Sequence, residues 1–219
     1  MATECDKQKR ERRRAYTALA KSDARLSQLI ARHGHPDPFS WGVLDEVVGT
    51  DPFAELVLHI VSQQISTRAA LTIYSRLRET LGGAVKPERI VTITEGELRA
   101  AGLSAAKARS LRDLAERVLD GRLSFERLAK SDDAAAQSEL DAVRGVGPWS
   151  AQMFLIHHLR RPDVFPASDV GLLRAAQSAF ASPERPTAAE LGERAERWRP
   201  YRSYAAALLW TDGRRSATT

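Results

Sequence analysis

The sequence predicts an all-α protein. Three observations carry that expectation. Apolar residues recur at spacings of three and four in segment after segment, helix-start and helix-stop residues bracket those segments, and the alternating runs of half-buried strands are scarce.

The elements follow in order. Lys7 to Arg14 reads KQKRERRR, a basic run that suits a solvated helix end, a phosphate-binding arm or a localisation signal. Tyr16, Leu19, Leu26, Leu29 and Ile30 then mark an apolar helix face, closed by the breaker-rich turn HGHPDP at His33 to Pro38. Phe53, Leu56, Val57, Ile60 and Val61 mark a helix with Asp51 as N-cap and Pro52 at its first position. The polar stretch Ser62 to Ser66, SQQIS, interrupts it, and a second helix runs from Thr67 to about Leu81, stopped by Gly82 and Gly83. Further helices are expected over Glu95 to Ala101, Ser104 to Leu119, Ser138 to Arg144 and Pro148 to about Leu159. The last ones begin near Ser168 and Asp169, and span Thr187 to Trp198 and Tyr201 to Trp210.

Composition bounds the function. The 219 residues are 43% hydrophobic and 28% charged, as in a globular chain of one domain or two closely packed lobes. No apolar run is long enough for a membrane span, and no apolar leader opens the chain, so the protein is expected to stay where it is made: cytoplasmic, at the nucleoid, in a bacterium, or nuclear in a eukaryote. The single cysteine, Cys5, cannot form an internal disulfide or supply a four-thiolate zinc or iron–sulfur site. A net charge of +5 and a pI of about 9.6 suit a polyanionic partner, and equally an ordinary basic enzyme.

Four patterns could carry chemistry. In Val143 to Trp149, VRGVGPW, one helix ends, Gly145 and Gly147 flank Val146 in a tight hairpin, and Pro148 opens the next helix. Such a helix start presents amide N–H groups and positive dipole character to a phosphate, and Arg144 adds charge. As an isolated pattern it also fits a plain glycine turn. Asp169, at the start of an apolar helix, is either an N-cap or a carboxylate placed to stabilise a cationic sugar or orient water. Gln63 and Gln64 are either a polar helix terminus or side chains that hydrogen-bond base edges. The aromatics Trp41, Trp149, Trp198, Tyr201, Tyr204 and Trp210 either fill cores or stack in a pocket.

In the order SQQIS, glycine hairpin, aspartate, these patterns resemble the helix-hairpin-helix (HhH-GPD) DNA glycosylase superfamily. Asp169 follows Trp149 by 20 positions, close to the family's interval. The resemblance is to the AlkA-like 3-methyladenine DNA glycosylase II branch, through DPFAELVLHIVSQQIS, AAGLSAAKARSLRDLA, VRGVGPWSAQMFL, DVFPASDVGLLRA and AERWRPYRSYAAALLW, over roughly residues 50–212. It implies the HhH-GPD fold, two helical lobes flanking a DNA- and base-binding cleft, without the extra N-terminal sheet domain of larger AlkA proteins. The expected layout is a basic tail over 1–14, the glycosylase domain over 15–213 with its helix-hairpin-helix at about 138–159, and a tail over 214–219.

The resemblance also implies roles. Asp169 matches the catalytic aspartate. Gly145, Val146 and Gly147 match the DNA-binding hairpin, with Arg144 and Ser150 beside it. Gln64, next to Gln63, matches the residue that wedges into the gap left by a flipped nucleotide. Trp149 and Trp210 match positions lining the base pocket, where Met153 and Val170 replace tyrosines of larger relatives. Backbone carbonyls of Asp141, Val143 and Val146 would hold a structural Na+ or K+ ion. No cofactor is required for catalysis, and no iron–sulfur cluster is expected. Bifunctional members, similar to endonuclease III, carry a Schiff-base lysine where this chain has Trp149. The implied protein is therefore a monofunctional hydrolase that acts as a monomer on double-stranded DNA containing alkylated bases. The rival readings are a bifunctional glycosylase/lyase for oxidised bases and a non-catalytic DNA-binding module.

Overall fold

A computed structural model describes residues 4–40 and 43–216. The elements are helices throughout, with no strand among the described residues. No helix is long and apolar enough to cross a membrane among those residues. The chain divides into two compact units, one from residues 1–40 and 160–219 and the other from 41–159.

The first unit is built from both ends of the chain. Helix α1 (Glu4–Ser22) and α2 (Ala24–His33) are followed, after the second unit, by α12 (Val170–Ala179), α13 (Ala188–Ala195), a 3₁₀ turn (Glu196–Trp198) and α14 (Arg202–Ser216). The basic residues expected as a tail form the first turns of α1. That helix is held by Ala15, Tyr16 and Leu19 on its inner face, all buried. The apolar pattern over 16–30 is two helices, not one. Asp23 adopts extended backbone, accepts hydrogen bonds from the Arg25 and Leu26 N–H groups, and so caps α2. Its second oxygen accepts from the Trp198 indole at 3.3 Å, which pins the cap to the core. Trp198 and Tyr204 are buried in that core with Leu26, Leu29, Leu172 and Leu208, so these two aromatics are packing residues.

The second unit holds α3 (Val43–Val48), α4 (Pro52–Ser62), α5 (Thr67–Thr80), α6 (Pro87–Thr92), α7 (Glu95–Ala100), α8 (Ala105–Leu119), α9 (Phe125–Lys130), α10 (Asp133–Asp141) and α11 (Pro148–His157). Helix α4 is central: every residue from Phe53 to Val61 is buried. Asp51 caps it through the Phe53 and Ala54 N–H groups. Burying Glu55 and His59 in that helix requires partners. The His158 Nδ1–H donates to Glu55 Oε2 at 2.7 Å, and His59 Nε2 lies 3.6 Å from Glu55 Oε1. Burial pushes the Glu55 carboxyl up, but the hydrogen bond from His158 and the neighbouring His59 outweigh it and hold its pKa down at about 2. Burial also lowers the pKa of His59.

The helix expected over 138–144 lies earlier, because Asp132 caps it through the Ala135 N–H at 2.8 Å and it ends at Asp141, before the hairpin. Three short helices, α3, α6 and α9, have no counterpart in the sequence reading. Six residues are too few to show helical periodicity.

Candidate active site and nucleic-acid interface

In the second unit the hairpin is fixed from below. The Val146 N–H donates to the Val143 carbonyl at 3.0 Å, and both valines are buried. Gly145 has φ +76°, and a Cβ added there would stand 2.2 Å from Ser110 Oγ and 3.0 Å from Ser110 Cβ. Only glycine satisfies both the backbone and the space. Arg144 is exposed, and its N–H donates to Asp113 Oδ2 at 2.8 Å, an oxygen also bound by Arg117. Gly147 is the N-cap of α11 and gives it no side-chain hydrogen bond, so the cap residue leaves the positive end of the helix dipole uncovered. Trp149 is half-buried in its first turn, and Met153, one turn on, is buried.

The SQQIS loop is tied to this hairpin. Gln63 Nε2 donates to the Gly145 carbonyl and to Ser150 Oγ, both at 2.8 Å. Gln64 beside it is exposed and has φ +59°, in the left-handed region that a glutamine rarely enters. The loop is held in that shape by Lys107, whose ammonium donates to the Val61 carbonyl at 2.8 Å and the Gln63 carbonyl at 2.9 Å. Burial lowers the Lys107 pKa. Gln63, Gly145 and Ser150 are thus one hydrogen-bonded group. Lys107, Ser110 and Asp113, all on α8, are supports that the sequence reading missed. The available signal was that α8 carries them at i, i+3 and i+6 from Lys107, toward one flank of the helix.

In the first unit Asp169 is the N-cap of α12. Its Oδ1 accepts from the Leu172 N–H at 2.8 Å and from the Trp210 indole Nε1–H at 2.9 Å. Cap and candidate catalyst are the same carboxylate. Trp210 reaches it from α14, and α12 and α14 pack closely enough that a Cβ on Gly213 would lie 3.0 Å from Ala175 Cβ. Gly171 is a second residue missed. A Cβ there would stand 3.0 Å from Asp169 Oδ1 and 3.8 Å from Trp210 Nε1. A glycine in the first turn of a helix is unfavourable by propensity, and that cost was the signal. Val170 is 52% exposed. Of the expected pocket residues, Trp210 and Val170 belong to this unit, and Trp149 and Met153 to the other. Trp41 lies outside the described residues.

A family model for HhH-GPD superfamily base excision DNA repair proteins matches residues 57–200, a span that contains the loop, the hairpin and Asp169. The chain belongs to the HhH-GPD superfamily of base excision DNA repair proteins. Within this superfamily it sits on the AlkA-like branch. DNA-3-methyladenine glycosylase 1 of Schizosaccharomyces pombe is 29% identical over 213 residues, 91% of this chain and 90% of the relative. A Bacillus subtilis protein named for the same activity is 31% identical over 158 residues, and the match spans 69% of this chain but only 55% of that relative. The solved structure of the S. pombe 3-methyladenine DNA glycosylase in complex with abasic DNA superposes with a TM-score of 0.80 at 27% identity, covering 90% of this HhH-GPD chain and 95% of that one.

Proposed function

We infer that the chain is a monofunctional DNA glycosylase of base excision repair. It takes N3- or N7-alkylated purines out of duplex DNA and hydrolyses the N-glycosidic bond, leaving an abasic site. The observation that carries this reading is the Asp169 carboxylate, with Oδ1 fixed by the α12 backbone and the Trp210 indole. The names of the relatives support the substrate class.

The mechanism follows from the chemistry of the groups. Extruding a nucleotide costs a few kcal/mol, less for a damaged pair. The hairpin at Gly145 to Gly147 and Arg144 hold phosphates without reading sequence. Gln64 fills the vacated position, and its left-handed backbone puts that side chain at the exposed tip of a braced loop. An alkylated purine is cationic, and the indole face at Trp210, beside Asp169, attracts it by up to about 2 kcal/mol when desolvated. As the bond between C1′ and the purine nitrogen breaks, its electron pair leaves with the base and the sugar gains oxocarbenium character. Asp169 stabilises that charge; water adds to C1′ and gives up a proton. With tryptophan at position 149 and Lys107 committed to two backbone carbonyls, neither residue offers a free amine for lyase chemistry.

A monovalent cation fits the hairpin. Helix α10 ends at Asp141, leaving its last carbonyls beyond the intrahelical ladder, and the Val143 carbonyl, bonded once by the Val146 N–H at 3.0 Å, retains a lone pair. Carbonyls of Asp141, Val143 and Val146 would hold Na+ or K+, which would supply positive charge against a phosphate.

The deciding experiment is release of bases from methylated duplex DNA, followed by chromatography, with Asp169→Asn as the comparison. Asparagine keeps a capping oxygen and removes the charge. The variant is expected to bind abasic-site DNA and release almost no base. Release at the wild-type rate would remove Asp169 from the reaction. A covalent adduct trapped by borohydride on abasic DNA would replace the hydrolase with a lyase.

A further inference from the structure

Helix α1 carries seven Lys and Arg residues against three Asp and Glu, a net +4 out of the +5 of the entire chain. The rest of the protein is close to neutral. Within α1, Arg10, Arg13, Arg14, Thr17, Ala18 and Lys21 follow the i, i+3, i+4 rule and line one shallow depression. All four of its cations are exposed, and none makes an ion pair among the described residues. The opposite side of the helix is Arg12, Ala15, Tyr16 and Leu19. There Arg12 is spoken for by Asp37 at 2.8 Å and the other three are buried. The helix is thus anchored on one side, with bare like charges on the other.

An ordinary solvated helix face interleaves both signs, because like charges three and four apart destabilise a helix. Between Arg10 and Lys21 the one acidic residue is Glu11, exposed at the edge of this face three positions before Arg14. A polyanion along the helix reverses that repulsion. From Arg10 to Lys21 the cations span about 16 Å, the axial length of roughly five steps of a duplex strand. Thr17 and Ala18 between them are small enough for a phosphate backbone to approach.

We propose that the basic face of α1, formed by Arg10, Arg13, Arg14 and Lys21, is a second contact with the DNA backbone. It supplies sequence-independent affinity apart from the hairpin and contributes a large part of the salt dependence of binding. The proposal rests on the reading of the chain as a duplex-DNA enzyme. Its test uses undamaged DNA, so that base recognition and bond cleavage play no part.

The experiment measures binding of the full chain to an undamaged fluorescent duplex by anisotropy, between about 50 and 200 mM salt, where counterion release sets the slope of log affinity against log salt. The fourfold variant Arg10→Gln, Arg13→Gln, Arg14→Gln, Lys21→Gln is expected to lose about 3.6 from that slope, roughly 0.9 for each phosphate contact. A control with equal net charge, Arg76→Gln, Arg78→Gln, Arg89→Gln, Arg99→Gln, changes exposed cations on other helices and is expected to keep most of it. The double variant Arg13→Gln, Arg14→Gln is expected to lose about half as much as the fourfold one, and it decides the matter if the fourfold variant melts early. Equal losses in the α1 variant and the control would reduce the effect to net charge and overturn the proposal. An unchanged slope in the α1 variants would do the same. Base release from methylated DNA, assayed separately, tests the glycosylase reading and leaves this result untouched.

Discussion

Trp210 and Asp169, on different helices and 41 positions apart, are joined by a hydrogen bond of 2.9 Å from the indole Nε1–H to Oδ1. The same oxygen takes the Leu172 N–H, so two donors from two helices fix one edge of the carboxylate. An aspartate that only capped α12 would need the backbone donor alone. The second donor sets the carboxylate plane, and it does so from a residue whose ring is the expected surface for a cationic base.

Trp210→Phe separates these roles. Phenylalanine keeps an apolar ring and removes the donor. A hydrogen bond to a charged group contributes about 1.5–3 kcal/mol, so if that bond is needed to aim the carboxylate, base release should slow by about tenfold to a hundredfold. Single-turnover release from methylated DNA measures it. Affinity for abasic-site DNA is expected to stay within about twofold. A variant that releases base at the wild-type rate would show that the indole N–H does not aim Asp169.

Gly171→Ala tests the same geometry without touching either partner. The new methyl would sit 3.0 Å from Asp169 Oδ1, tighter than ordinary contact, while the backbone at 171 needs no glycine-only angle. The carboxylate must yield by a few tenths of an ångström. Misplacement on that scale costs rate before it costs folding. The expected outcome is a clear fall in base release with a melting temperature within about 2 °C of wild type. That shift corresponds to about 0.5–1 kcal/mol for a chain of this size.

Much of this was legible in the sequence, for identifiable reasons. Asp51, Ser104 and Asp169 announce helix starts because capping chemistry is local and needs no tertiary partner. The hairpin is legible because its two glycines stand next to a proline. What stayed hidden depends on partners far along the chain. The break at Asp23 follows from a cap whose second oxygen is held by Trp198, 175 residues away. Gly145 needs glycine partly because Ser110 lies beneath it, which no local pattern records. The split of the candidate pocket residues, Trp149 and Met153 in one unit and Trp210 and Val170 in the other, is equally a property of the chain's path.

Lys107 carries a prediction for the loop that bears Gln64. Its ammonium satisfies two carbonyls at the end of α4 and stabilises a backbone turn that glutamine disfavours. Lys107→Met keeps the aliphatic stem and removes both charge-assisted bonds. The loop is then expected to relax away from positive φ at Gln64. Amide exchange at Gln63 to Ser66 should rise on the order of tenfold, while the core of α4 stays protected. Base release should fall in the same variant, and a Gln64→Ala background should mask that fall, because both changes act on one wedge. Full additivity of the two losses would disconnect Lys107 from Gln64.

Buried Glu55, bonded to the partly exposed His158, makes stability depend on pH with a definite sign. Glu55 has its pKa lowered from 4.5 to about 2, so the unfolded chain binds its proton more readily than the native one. Its contribution is complete above about pH 4.5 and disappears as pH falls toward 2. The full shift corresponds to about 3 kcal/mol. His59, its pKa lowered by burial, adds to the same trend from higher pH, since it too is protonated more readily in the unfolded chain. Glu55→Gln removes the carboxylate titration and leaves that of His59. Thermal melts between pH 7 and pH 3 should show the wild-type melting temperature falling steeply below about 4.5 and the variant, less stable at pH 7, falling less over that interval. Parallel curves would mean that the Glu55 carboxylate keeps its ordinary affinity for protons in the native fold, and that its bond to His158 does not lock α4 to α11.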